Sequence, residues 1–272
     1  MQSLADSFRR DGKTIGFVPT MGFLHEGHLS LMRIARPQCD VLVVSVFVNP
    51  TQFGPNEDLN KYPRDFKRDE KLCRDENVDV IFYPTQDMMY GKPYLTFVNV
   101  EKLSGAMCGA SRPGHFRGVA TVVCKLFNIV KPHLAVFGEK DYQQALIIKQ
   151  MVKDLNMDVN ILTGAIVREA DGLAMSSRNR YLSNQERQNA LVLSKSLQMA
   201  EKLVQEGQTN AEIISNQIRE FIQQTEDTEI DYIAIVNADT LKPASEIGNN
   251  TLIALGVKIG QTRLIDNVFI RK

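Results

Sequence analysis

One run constrains this chain more than any other: Val41–Val48, "VLVVSVFV", eight residues with a single hydroxyl among them. A strand with one wet face alternates apolar and polar residues. A run apolar on both parities is covered on both faces, as in a parallel sheet sandwiched by helices. Thr14–Pro19, Val78–Tyr83 and Leu134–Phe137 have the same character, and His28–Arg36, Asp65–Asp75 and Val119–Val130 between them carry helical spacing. Strand–helix alternation of this kind predicts an α/β, Rossmann-like domain on a parallel sheet.

The polar chemistry collects where these strands end. "PTMGFLHEGH", "NPTQFGPNEDLNKYPR" and "GEKDYQQ" each follow an apolar run. In an open α/β sheet the crevice beyond the carboxyl ends of the strands is where ligands bind. The chain is therefore expected to hold a site at that crest.

After about Val167 the texture changes. "READGLAMSSRNRYLS" is polar and punctuated, and helical stretches follow at Asn184–Gln205 and Asn210–Gln224. Ile230–Val236, Leu252–Ile259 and Thr262–Ile270 then read as antiparallel strands. The expected division is a catalytic domain over 1–166 and a smaller α+β lid over 167–272. The opening "MQSLADSFRRDGK" reads as a polar helix draining into a loop at Asp11-Gly12, not as an export signal.

Bulk composition excludes some classes. Lys plus Arg and Asp plus Glu are 32 each, so no overall field favours nucleic acid or an anionic membrane. No apolar run reaches membrane-spanning length. Cys39, Cys73, Cys108 and Cys124 form no CxxC pair and read as reduced thiols of a cytoplasmic protein.

His25 and His28 admit three readings. As zinc ligands they lack a third and fourth partner at recognisable spacing, and HExxH would need one more residue between Glu26 and His28. As structural residues they would cap a helix. As a nucleotide site they use more of the stretch. Gly22 permits an unusual φ, Gly27 lets a ligand lie against a helix start, and first-turn amides favour phosphate. Two imidazoles can donate to phosphate oxygens. No GxxxxGK[ST] loop occurs.

HxGH after a strand resembles the motif of the nucleotidyltransferase superfamily shared with class I aminoacyl-tRNA synthetases. With "VSVFVNPTQFGPNEDLNKYPR", "RPGHFRGVATVVCKLFNIVKP", "FGEKDYQQ" and "READGLAMSSRNRYLS" in this order, the chain resembles the pantothenate synthetase (pantoate–β-alanine ligase) family from about Thr14 to Ser183. The resemblance implies an ATP-dependent, AMP-forming condensation of pantoate with β-alanine through pantoyl adenylate, in a homodimer. It implies ATP contacts at Met21, Gly22, Phe23, Leu24, His25, Glu26, Gly27 and His28, with His28 as proton donor. Further ATP contacts are implied at Gly138, Glu139, Lys140 and Asp141, at Val167, and at Met175, Ser176, Ser177 and Arg178, the last four on a mobile loop. His25, His28, Lys140 and Arg178 are the expected catalytic set, and Gln52 and Gln144 the pantoate contacts, with Asn49 shaping the same pocket.

Mg2+ is expected with ATP, and Asp69 is a candidate ligand that a solvated helix face would explain equally well. Arg112, His115 and Arg117 are candidates for positioning substrate, and His133 reads as a turn residue. The family's short upstream strand segment is missing, which puts the N-terminal edge of the sheet in question. Two alternatives stay open: an adenylyltransferase that leaves AMP on its product, and a nucleotide-binding module without catalysis.

Overall fold

The computed structural model describes residues 1–270. It divides into two compact units: Met1–Ser104 with Arg112–Val167, and Gly105–Ser111 with Arg168–Lys272. The second unit thus takes in a short piece of chain that the sequence reading placed with the first.

The first unit opens with helix α1 (Gln2–Arg10), followed by β1 (Ile15–Thr20), α2 (Glu26–Ala35), β2 (Val41–Val46), α3 (Phe66–Asp75), β3 (Val80–Phe82) and α4 (Gln86–Met89). After the excursion through α5 (Cys108–Ser111) in the second unit come α6 (His115–Val130), β4 (Leu134–Gly138), α7 (Tyr142–Asp154) and β5 (Asn160–Gly164). All five strands are parallel, in the order β3-β2-β1-β4-β5. β2 is buried at every position, as its unbroken apolar run requires. β5 and α7 escaped the sequence reading because "NILTG" is polar at both ends and the apolar spacing of α7 begins in a charged turn.

The order reverses between β1 and β4, which makes their carboxyl ends the topological switch point. β1 is therefore the central strand of the sheet, not an edge. His133 does more than turn the chain. Its Nδ1 accepts from the Ile15 amide at 2.9 Å and its own amide donates to the Ile15 carbonyl, pinning β4 to β1 at their start.

The second unit continues with α8 (Asn184–Gln205), α9 (Ala211–Gln223) and the antiparallel strands β6 (Thr228–Asn237), β7 (Thr251–Ile259) and β8 (Thr262–Ile270). β7 lies between the other two. Ile253, Leu255, Val257 and Ile259 pack with Leu193, Leu197, Ile214, Ile218 and Ile222. A Ser183–Glu186 capping box starts α8, worth about 1 kcal/mol.

Candidate active site

Three strand-end segments of the first unit carry many of the residues the sequence singled out. The turn after β1 is held open by Gly22 and Phe23, both left-handed, at φ 80° and 50°. Any β-carbon on Gly22 would come 2.8 Å from Val46 and 3.0 Å from the Asp69 carboxylate, so only glycine fits. His25 is the N-cap of α2, and its amide donates to His28 Nδ1 at 3.2 Å. With Nδ1 accepting, the proton of a neutral His28 sits on Nε2. The two rings are 4.1 Å apart.

Both imidazoles stay neutral at ordinary pH. Burial, then the nearby Lys140 ammonium, lower His25 to about 4, with Asp141 opposing. Burial, then His25 and Lys140, hold His28 well below the usual imidazole range. His25 Nδ1 is out of solvent and has no hydrogen-bond partner. A buried orphan of that kind calls for an explanation, and a ligand acceptor is one. Lys140 follows β4 and contacts Asp141 at 3.2 Å. The histidines after β1 and the lysine after β4 thus lie within electrostatic reach of one another at the switch point.

The second segment follows β2. Asn49, 1 % exposed, is the hub. Its Oδ1 accepts from Tyr90 Oη at 2.7 Å and Thr51 Oγ1 at 3.0 Å, and its Nδ2 donates to Gln52 Oε1 at 3.0 Å and the Gly118 carbonyl at 3.2 Å. Gln52 Nε2 reaches Met21 Sδ at 3.2 Å, which links this segment to the β1 turn.

His115 sits between a group that can only donate and one that can only accept. Arg112 Nη1 lies 3.1 Å from Nε2 and the Gln52 carbonyl 2.8 Å from Nδ1, so the ring is neutral with its proton on Nδ1. Burial, then Arg112, lower it to about 4. Arg112 is held by Glu57 in a two-armed ion pair and donates to the Gln52 carbonyl at 3.3 Å. Arg112 and His115 therefore position the backbone of Gln52. Arg117 stacks on Phe97, 3.8 Å from the ring centroid. Gln144 is half-buried on α7, and Val167 half-buried beyond β5.

Asp69 corrects an expectation. It is 1 % exposed, and its carboxylate accepts from the Phe23 amide at 2.7 Å and the Leu24 amide at 2.8 Å. Buried, with both oxygens taken by backbone amides, it fits neither a solvated helix face nor a metal ligand. Among the described residues, no three His, Cys, Asp or Glu side chains gather as a metal-holding group.

Met175, Ser176, Ser177 and Arg178 belong to the second unit. Ser176 Oγ accepts from the Arg178 amide at 3.3 Å and starts a 3-10 turn over Ser177–Tyr181. Asn179 ties the turn to Glu169 at 2.7 Å and to the Ala174 carbonyl at 3.1 Å, and Arg187 bridges Glu169 and Asp171. These bonds tie the loop, expected to be mobile, to neighbouring residues of its own unit.

The sequence reading did not single out Tyr90, Glu57 or Arg68. Each is distant in sequence from the group it holds, and no periodicity marks it.

A parallel sheet whose switch point carries an HxGH pair and a lysine defines a nucleotide-handling α/β enzyme. The family model for pantoate-beta-alanine ligase matches residues 1–269, and the chain belongs to that family. A pantothenate synthetase of Acetivibrio thermocellus is 58 % identical over 259 residues, covering 95 % of this chain and 92 % of its own. One from Caldicellulosiruptor bescii is 54 % identical over 270 residues, covering 99 % and 96 %. The crystal structure of a Thermus thermophilus pantothenate synthetase superposes with a TM-score of 0.92 at 43 % identity, covering 97 % of this chain and 96 % of its own. A Francisella tularensis pantoate-beta-alanine ligase, solved with beta-gamma ATP and beta-alanine, gives 0.81 at 36 % identity, covering 98 % and 95 %. The chain is accordingly a ligase that condenses pantoate with β-alanine in an ATP-dependent reaction.

Proposed function

We propose that the switch point binds the ATP phosphates and the Asn49–Gln52 segment binds pantoate, so that pantoate is adenylated before β-alanine attacks. The observation that carries this reading is the pair of half-buried, neutral imidazoles 4.1 Å apart within electrostatic reach of Lys140, one with an orphaned nitrogen.

A carboxylate is a poor acylating agent. Its oxygen must displace pyrophosphate from the α-phosphorus, forming an acyl–phosphate anhydride, and the β-alanine amine then displaces AMP from the acyl carbon. The first step needs in-line placement and stabilisation of charge on the phosphate oxygens. His28, held as an Nε2–H donor, serves a phosphate oxygen, with His25 beside it and Lys140 supplying fixed positive charge. First-turn amides of α2, at Glu26 and Gly27, have no intrahelical acceptor and add to this. Gln52 and Gln144 offer donors and acceptors to the hydroxyls and carboxylate of pantoate.

Met21–Leu24, Gly138, Glu139, Asp141, Val167 and Met175–Arg178 complete the proposed ATP contacts on the strength of the family resemblance. Magnesium is proposed as a companion of the triphosphate, the ordinary mode for this ion. Membership also supports a cytoplasmic homodimer, and among the described residues no helix is long and apolar enough to cross a membrane. Exposed Leu95, Met88, Tyr83 and Phe97 in the first unit support a surface for the second copy.

A pyrophosphate-release assay decides the order of events. Pantoate and ATP alone should give one burst of pyrophosphate, and AMP should appear only when β-alanine is added. AMP release without β-alanine, or no pyrophosphate until it is present, would sink the adenylate route. Gln52→Ala should weaken pantoate at least tenfold more than ATP, which corresponds to about 1.4 kcal/mol; equal losses would remove Gln52 from the pantoate site.

A further inference from the structure

The turn that delivers the histidines is built around Asp69, and nothing in the proposed chemistry uses that residue. Two successive amides, of Phe23 and Leu24, converge on its two oxygens. Convergent amides flanking left-handed residues form a concavity suited to an anion. Here the anion is the protein's own carboxylate. Arg68, the preceding residue on α3, donates Nη1 to the Leu24 carbonyl at 2.8 Å and lies 5.1 Å over the Phe23 ring. Both backbone polar groups of Leu24 are thus held by adjacent side chains of one helix.

Such holding is needed. Phe23 is a non-glycine residue in the left-handed region, a conformation costing on the order of 1–2 kcal/mol. The next residue is His25, whose amide fixes the acceptor nitrogen of His28. The chain of cause runs from Asp69 through residues 23 and 24 to the proton on His28 Nε2.

We propose that Asp69, aided by Arg68, is the positioning residue of the histidine pair: its carboxylate fills the amide concavity of the turn and thereby holds His28 as an Nε2–H donor toward the α-phosphate. The inference rests on the phosphate role given above to His28. It also limits where substrate phosphate binds. The amides of Phe23 and Leu24 are taken, which leaves the imidazoles and the first turn of α2.

Asp69→Asn is the direct test, because the amide keeps the shape but presents N–H to an N–H. Single-turnover pyrophosphate release from ATP and pantoate should fall on the order of 10²-fold, while the Kd of ATP changes less than about threefold. In nitrogen NMR of the imidazoles, His28 should lose its single-tautomer pattern. In a His28→Ala background the same substitution should cost little further rate, because the two act in one chain. If Asp69→Asn does not fold, Arg68→Met frees only the Leu24 carbonyl, and it should give a smaller fall of the same kind with the same NMR change. An unaltered His28 spectrum in whichever variant folds, or an undiminished loss in the His28→Ala background, overturns the proposal. Should His28→Ala itself release pyrophosphate at the wild-type rate, the phosphate role fails instead, and the NMR result still judges the clamp.

Discussion

The two strand-end segments that carry the proposed site are held by opposite means. The turn after β1 follows a strained path, two left-handed residues in succession, and two adjacent side chains of one helix, Asp69 and Arg68, secure it. The segment after β2 contains no left-handed residue, and a many-membered network secures it: Tyr90, Thr51 and Asn49 on one side, Glu57, Arg112 and His115 on the other. The lesson concerns where fragility lies. A strained turn anchored from one short stretch of helix places a proton donor accurately and fails all at once. A relaxed segment with distributed anchors loses its grip by degrees.

The sharpest break in that contrast should come at His28. His28→Ala is expected to slow single-turnover pyrophosphate release by 10²–10³, the scale for losing one donor to a transition-state oxyanion. A near wild-type rate would remove the first segment from the chemistry.

Acid tests both segments together. His25 and His115 are each lowered from 6.5 to about 4 in the folded chain, so between those values the unfolded chain binds protons that the folded one does not. Stability is therefore full above pH 6.5 and falls as pH drops toward 4, by about 2 kcal/mol per group between pH 7 and 5. Urea titrations at the two pH values check this. His115→Gln should flatten the slope by one group's share, and an unchanged slope would contradict the neutral state of this half-buried ring.

Next comes the contact beneath Gln52. A β-carbon on Gly118 would stand 2.3 Å from the Thr51 carbonyl oxygen and 2.7 Å from the Gln52 amide, with only backbone to yield. Gly118→Ala should destabilise by about 2 kcal/mol and raise the KM for pantoate, with ATP little affected. Equal effects on both substrates would mean the two segments are not separable.

The smallest effect is expected from Tyr90→Phe. It removes one of two donors to Asn49 Oδ1, and Thr51 remains. About 1 kcal/mol of stability should be lost, measurable by denaturant midpoint, with pyrophosphate release almost untouched. A large catalytic loss there would show that the second network is as brittle as the first.

Much of this was legible without coordinates, for identifiable reasons. The unbroken apolar run at Val41–Val48 could only be a doubly covered strand, and clustered polar residues after apolar runs marked the crest of the sheet. The tapering polar run "NILTG" hid β5, and with it the full strand order. The site shows the same division. His25 and His28 were readable because residue type and local spacing carry their chemistry, whereas Lys140, in an ordinary strand-to-helix turn, came only with the family resemblance. Asp69 was misread because burial is not written in a carboxylate; on "FKRDEKLCRD" it looks like one acid among several.

What the sequence determined by itself, then, is everything set by neighbours along the chain: the strand and helix alternation and the motif histidines three residues apart. Only the tertiary structure decided that β1 and β4 lie side by side, that burial, with Lys140 adding to it, holds both imidazoles neutral, and that Asp69 fills a concavity 45 residues away in sequence. Charge and hydrogen bonding act through space, and which charges become neighbours is fixed by how buried strands order themselves in the sheet, not by their order in the chain.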